Sequence, residues 1–359
     1  MGDERRRADD CAGGWHARNL LFDRRVEAGV FELARGGLLN EGMVIDECDV
    51  AAVLNIYDNH VGSDGIATRA DLARIKSIVA RRARRMLVLN AEDPLCLAMR
   101  EGARADRICL VAADGAAPLM HSHIAASGCA VFRRGSPDGD VIVLADHGAA
   151  DPVLATTEIP ATLSGRHGGK VWNAMFAVAI ARAMGASLDQ VRAGLRSFKP
   201  DLADSQGRHS IIDRHPFRVI LDYGAGREAL GALADTVRQM PVAGRKLIYL
   251  MGSGRSSDEL LRATGHAVAG VFDFYVCTDW ARRPRPDPQT VPDLMRDGLL
   301  AGGVTPDAIL SIVGEEEALR HILWEVRPGD LVVVNTAEID RAVAIIEGLD
   351  AGRGGRSAR

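Results

Sequence analysis

The chain has 359 residues and a mass of 38.4 kDa, too much for one ordinary core and comfortable for two domains. Hydrophobic residues make up 47% and charged residues 26%, the profile of a globular protein rather than a disordered one. Formal net charge is -4 with a pI near 6.2, so no basic excess points to nucleic acid as the main partner. No apolar run reaches the roughly 18 residues of a membrane span, and the opening MGDERRRADD lacks the apolar stretch of a secretory signal. The six cysteines, Cys11, Cys48, Cys96, Cys109, Cys129 and Cys277, form no CxxC pair, which argues against a zinc ribbon or a disulfide framework and for a reducing, cytoplasmic setting.

Taken in chain order, Val26–Leu33, Asp49–Ile56, Met86–Asn90 and Arg107–Ala112 read as short apolar strands without a solvated face. Thr68–Arg84 reads as a helix with Leu72, Ile75 and Val79 on one stripe, and its Arg81–Arg85 run as a solvated end. This alternation argues for a parallel sheet covered by helices. Cys129–Ile159 is shorter and turn-bounded, as in an antiparallel appendage. Helices follow at Val171–Met184 and from Ser187 to near Phe198, where Ser187 and Gln190 have capping-box spacing.

Lys199–Arg208 is polar with Pro and Gly, and is the expected boundary between residues 1–199 and 200–350. It also has the composition of a hinge crossing once between the two. After it the pattern restarts. RVILDY, KLIYLMG, FDFYVCTD, AILSIVG and DLVVVNT read as strands. Helices are expected near Glu228–Met240, Asp258–Val271, Val291–Leu300, Glu315–Val326 and Asp340–Leu349, which makes a second doubly wound α/β domain. Residues 351–359 read as a disordered tail.

Ligands of such sheets sit beyond the carboxyl ends of the strands. The segments there are FELARGGLLNEG, NIYDNHVG, LNAEDP and DYGAGR, each mixing Gly with carboxylate, His or Asn, as phosphate and metal chemistry require. Met120-His-Ser-His reads as a surface helix start rather than a metal fragment, and Trp280–Arg285 (WARRPR) either as a grip for an acidic polymer or as a solvated turn.

The order FELARGGLLNEGMVIDECDVAAVLNI, a His-Gly variant, RIKSIV, VLNAEDPL, IPATLSG, the Asn173 helix, GLRSF, Gly207-Arg208 and LDY resembles the Mur-ligase-like half of the cyanophycin synthetases, over nearly the whole chain. The resemblance implies an incomplete Mur-ligase-like central domain followed by a Rossmann-like C-terminal Mur ligase domain. It implies an ATP-dependent amide ligase that activates a carboxylate as acyl phosphate and joins it to an amine, here arginine onto an aspartate side chain, with ATP and Mg2+ as cofactors. By position it implies Glu32 and His60 as magnesium ligands and Lys76 as a carbamylated lysine. Asn173 would contact adenine, Arg208 phosphate, Asp222 ribose, and Arg255 phosphate or product.

The family's phosphate loop, GTNGKTT, is not found, and Gly165–Val171 (GRHGGKV) reads as an ordinary helix entry. DYAHNP has become DYGAGR and the family's Asp-His pair is Asn59-His60. The upstream ATP-grasp domain of the family is not found either. The chain alone is therefore expected to bind ATP weakly and to form no product. A separate chain or an upstream segment would supply the phosphate loop, or a separate chain the ATP-grasp domain, and the alternative is a non-catalytic binding or partner subunit. Substrates are expected to be an amino acid and an acidic peptide or polymer, with no nucleic acid or membrane partner, in a homo-oligomer.

Overall fold

The structure is a computed structural model that describes residues 14–40, 42–43, 45–57, 61, 65–137, 139–205, 207–224 and 226–348. The chain divides into two compact units. One comprises Met1–Glu158 with Lys170–Leu195, the other Ile159–Gly169 with Arg196–Arg359.

In the first unit, helices α1 (Gly14–Leu21) and α2 (Arg35–Asn40) precede strand β1 (Cys48–Val53). Then come α3 (Arg69–Ala80), β2 (Ala83–Asn90), α4 (Pro94–Ala98), β3 (Arg107–Asp114), α5 (Pro118–Ala125) and β4 (Cys129–Arg134). Strands β1 to β4 are parallel neighbours, and β5 (Val141–Asp146) and β6 (Ala149–Ala155) extend the same sheet antiparallel. A capping box starts α3: the Thr68 hydroxyl accepts from Asp71 N while the Asp71 carboxylate accepts from Thr68 N. Leu72, Ala73 and Ala80 then lie on one stripe against Leu87 and Leu89 of β2 and Leu110 of β3. Each of these leucines contributes roughly 1.5–3 kcal/mol by leaving water. Helices α6 (Gly168–Ala183) and α7 (Leu188–Ser197) follow. At the start of α7 the expected Ser187–Gln190 box is formed, Ser187 N donating to Gln190 Oε1 (2.7 Å) and Gln190 N to Ser187 Oγ (3.2 Å).

The second unit holds α8 (Leu202–Ser205), β7 (Arg208–Ile212), β8 (Arg218–Asp222), α9 (Arg227–Gln239), β9 (Lys246–Gly252) and α10 (Asp258–Val268). It continues with β10 (Phe274–Asp279), α11 (Thr290–Ala301), β11 (Ile309–Ser311), α12 (Glu315–Glu325), β12 (Leu331–Asn335) and α13 (Ile339–Glu347). The strand order is β11-β10-β9-β12-β8-β7, with only β7 antiparallel. Side chains alternate across a strand, so Ile248 and Leu250 join one core with α9, α10 and α11, while Leu247 and Tyr249 join another with α12 and α13. Two buried faces explain why these strands are continuous apolar runs. Between α10 and α11 the backbones touch: a Cβ on Gly298 would run into the Arg262 carbonyl and one on Gly265 into the Met295 carbonyl.

Several expectations are corrected. Val26–Leu33 is not a strand; Val30 is 76% exposed, and among the described residues no strand pairs with the free edge of β1. A strand exists only through a backbone partner. Arg81–Arg85 is not a helix end: α3 stops at a cap on Arg81, and β2 already begins at Ala83, where Arg84 faces Glu47 (3.5 Å) and Asp49 (3.4 Å). Within Cys129–Ile159 the pairing is antiparallel from β5 on, as expected, but β4 is parallel to β3 and the segment continues the main sheet rather than hanging from it. Lys199–Arg208 does not cross once; the chain passes between units after 158, 169 and 195. Segment 159–169 belongs with the second unit, where Leu163 packs on the α9–α11 core. Residues 351–359 lie outside the described residues.

Candidate functional site

In the first unit, the chain leaving β1 is held by polar side chains from its neighbours. The Lys76 ammonium donates to Asn55 O (2.9 Å) and Asn90 Nδ2 to Leu54 O (2.9 Å). Arg69 donates through Nε and Nη2 to Ile56 O (2.9 and 2.6 Å). Asp93 is buried; it accepts from Ile56 N (2.7 Å) and caps α4 through Leu95 N (2.9 Å) and Cys96 N (3.2 Å). Lys76 is half-buried, and desolvation holds its ammonium below the ordinary lysine range despite the compensating charge of Asp93. Glu32 is exposed in the irregular segment before α2, and Asn173 is exposed on α6. His60 lies outside the described residues.

In the second unit, Arg208 and Asp222 stand opposite each other in the β7–β8 register. Asp222 is buried and densely bonded. His209 Nδ1 lies 2.9 Å from its Oδ1, Gly224 N donates to Oδ2 (2.7 Å), and Asn335 Nδ2 reaches Oδ2 (3.4 Å) and Gly224 O (2.6 Å). Burial alone would raise this carboxyl; the His209 hydrogen bond and charge, the Gly224 amide and the Arg208 charge outweigh it and hold the group below the usual carboxylate range. The Arg208 guanidinium lies over the Tyr223 ring, 4.2 Å from its centroid.

The loops after β9 and β10 are tied together. Gly254 N donates to Arg283 O (2.8 Å), and Arg285 donates to Asp258 Oδ1 (2.7 Å) and Ser256 O (2.7 Å). Arg255 itself is exposed in this loop. Trp280 Nε1 and Arg282 both bond Glu338 (2.8 and 3.1 Å). Much of Trp280–Arg285 is therefore engaged within the unit. His123 bonds Cys129 O (3.0 Å) and Met120 is buried, so the Met-His-Ser-His segment serves packing.

Sequence reasoning missed His209, Asn335 and Asp93. His209 follows the quoted Gly207-Arg208 pair, and Asp93 lies within LNAEDP, where a carboxylate before Pro94 is a helix-cap signal. Among the described residues no three His, Cys, Asp or Glu side chains are grouped to hold a metal, and no helix is long and apolar enough to cross a membrane.

Residues 207–337 match the Mur ligase, glutamate ligase domain. The cyanophycin synthetase of Crocosphaera subtropica is 31% identical over 344 residues, 94% of this chain and 38% of that protein. That of Nostoc sp. is 30% identical over 354 residues, 97% and 38% respectively. The chain thus spans less than half the length of these relatives. Among solved structures, the Mycobacterium tuberculosis folylpolyglutamate synthase complexed with ADP has a TM-score of 0.63 at 21% identity, covering 96% of this chain and 71% of that one. At that identity the likeness concerns the fold. The match to the Mur ligase, glutamate ligase domain is thus confined to residues 207–337, while the similarity to the cyanophycin synthetases runs along nearly the whole chain.

Proposed function

We propose that this chain is the Mur-ligase-like part of an ATP-dependent amide ligase, which activates a carboxylate as acyl phosphate and couples it to an amino acid amine. The observation that carries this reading is the similarity to cyanophycin synthetases along 94% or more of the chain. By that similarity the acceptor is an aspartate side chain of an acidic peptide or polymer and the amine is arginine. Arg208 and Asp222, opposite each other at one strand end, would meet phosphate and ribose. Asn173 would meet adenine and Arg255 phosphate or product.

By the same similarity Mg2+ would accompany ATP. Mg2+ takes one or two protein carboxylates and completes its shell with substrate phosphates and water. Glu32, with His60 and a carbamylated Lys76, would supply such a set, and the ion would neutralise charge on the transferring phosphoryl group. Only a neutral amine reacts with CO2, so a half-buried Lys76 with a depressed ammonium pKa is suited to carbamylation.

The test combines calorimetry with Mg-ATP and a phosphate-release assay with an aspartyl peptide and arginine. The chain alone is expected to bind weakly and to form no amide, because no phosphate loop is found in it. Adding a chain that carries that loop is expected to restore product. Micromolar binding with substrate-dependent phosphate release by the chain alone would show that another segment replaces the loop. Failure to form product with any such partner would favour a non-catalytic binding subunit.

A further inference from the structure

The β7–β8 register pairs Arg208 with Asp222 and Ser210 with Leu221, which leaves His209 as the extra residue of a β-bulge. Its φ is +56°, a left-handed conformation that a residue with a Cβ adopts only at a cost and that concentrates at functional sites. The bulge turns the His209 ring inward. Nδ1 comes 2.9 Å from Asp222 Oδ1, with the two side chains only 12% and 3% exposed, and the ring rests on His167 with centroids 3.9 Å apart.

The surrounding backbone locks this turn. Gly207 N donates to Ser210 Oγ (2.8 Å), Ser205 Oγ to Arg208 O (3.0 Å), and Tyr223 N to Gly207 O (2.8 Å). Arg208, next to the bulge, is left exposed over Tyr223. A carboxylate offers about four acceptor positions. His209, Gly224 and Asn335 take three on Asp222, so its orientation is set before any ligand arrives.

We propose that His209 is a positioning residue of the nucleotide site, whose bulge and hydrogen bond fix the Asp222 carboxylate and the neighbouring Arg208 for the ligand. This rests on the reading of Asp222 and Arg208 as nucleotide contacts. His209 need not touch the nucleotide. It acts by delivering a donor to a buried carboxylate from a backbone conformation most residues avoid.

Two variants of equal size separate the hydrogen bond from the backbone. Asn and Asp both tolerate left-handed φ, but only Asn offers Asp222 a donor, whereas Asp sets a second carboxylate against it. His209→Asn and His209→Asp are compared with the unaltered full chain by the rise in unfolding temperature on titration with Mg-ADP to millimolar concentration. His209→Gly, which fits the backbone and lacks the donor, is the third variant, and ligand-free unfolding verifies that each is folded. His209→Asn is expected to bind within about twofold of the unaltered chain. His209→Asp and His209→Gly should bind about tenfold more weakly, equivalent to about 1.4 kcal/mol. Equal affinity of the Asn and Asp variants, or of His209→Gly and the unaltered chain, overturns the positioning role while leaving the nucleotide reading intact. No Mg-ADP-dependent rise in the unaltered chain overturns the nucleotide reading and the positioning role with it.

Discussion

Replacing Lys76 by Met separates a chemical role of this lysine from a packing one. Met retains the apolar stem but removes the ammonium that donates to Asn55 O at 2.9 Å. A hydrogen bond from a charged donor contributes roughly 1.5–3 kcal/mol. Against that loss stands the relief of not burying an ammonium, whose sign is given by the lowered Lys76 pKa and its main cause, desolvation. The two nearly offset, and the net change near neutral pH should stay within about 1 kcal/mol. The pH dependence has a definite sign. Because the folded pKa lies below the unfolded one, the unfolded chain binds more protons between the two values, so stability rises with pH across that window. Lys76→Met lacks this rise, which urea unfolding at neutral and alkaline pH measures. Carbamylation joins the Lys76 nitrogen to the carbon of CO2 and releases one proton. An ordinary lysine is neutral in only about one molecule in a thousand at pH 7.4, and each unit of lowering multiplies that share about tenfold. Nuclear magnetic resonance with 13C-labelled bicarbonate should therefore show a carbamate carbon that is absent from Lys76→Met. Identical spectra of the two proteins would refute the argument, as would a loss of several kcal/mol in stability.

Three other outcomes are expected. Arg208→Ala should weaken Mg-ADP binding by roughly tenfold to a hundredfold, the worth of one charge-assisted contact, with little change in ligand-free unfolding temperature because the side chain is exposed. Asp330 accepts from Arg245 N (2.8 Å), Arg245 Nη2 (2.8 Å) and Arg327 N (3.0 Å); Asp330→Ala should cost roughly 1–3 kcal/mol, since it removes a buried carboxylate and leaves those donors without their acceptor. Burial opposes ionisation of Asp330, but these bonds outweigh it and lower its pKa, so its contribution is present above about pH 4 and lost as pH falls through the lower folded value, an acid-unfolding difference the variant should lack. Gly298→Ala should destabilise by roughly 2 kcal/mol in urea unfolding although Ala favours helices by about 1 kcal/mol, because its methyl meets the Arg262 carbonyl; a more stable variant would refute the close packing of α10 and α11.

In the second unit, each main strand has both faces buried, so its identity was written locally as an unbroken apolar run. KLIYLMG matches β9 residue for residue, while DLVVVNT differs from β12 by one residue at each end. The helices between them carry their own stop signals, as where Gly270 at φ +71° follows the end of α10. The Ser187–Gln190 box was likewise legible, because its partners are three residues apart. The order of motifs carried the similarity to the cyanophycin synthetases, since it needs only the one-dimensional chain.

What the sequence could not show depended on partners distant along it. Val26–Leu33 has strand composition but no strand partner among the described residues, and the end of α3 fell at Arg81 because Ala83 enters the sheet beside Cys48. Segment 159–169 joined the later unit through the packing of Leu163. β7 was hidden because its single bulged pairing with β8 interrupts the two-residue alternation at His209. The densest part of the candidate site follows from that irregularity. Asp222 was visible as a carboxylate after a strand, but the histidine, the amide and the asparagine that orient it lie 13, 2 and 113 positions away, and only the folded sheet brings them to one carboxyl group.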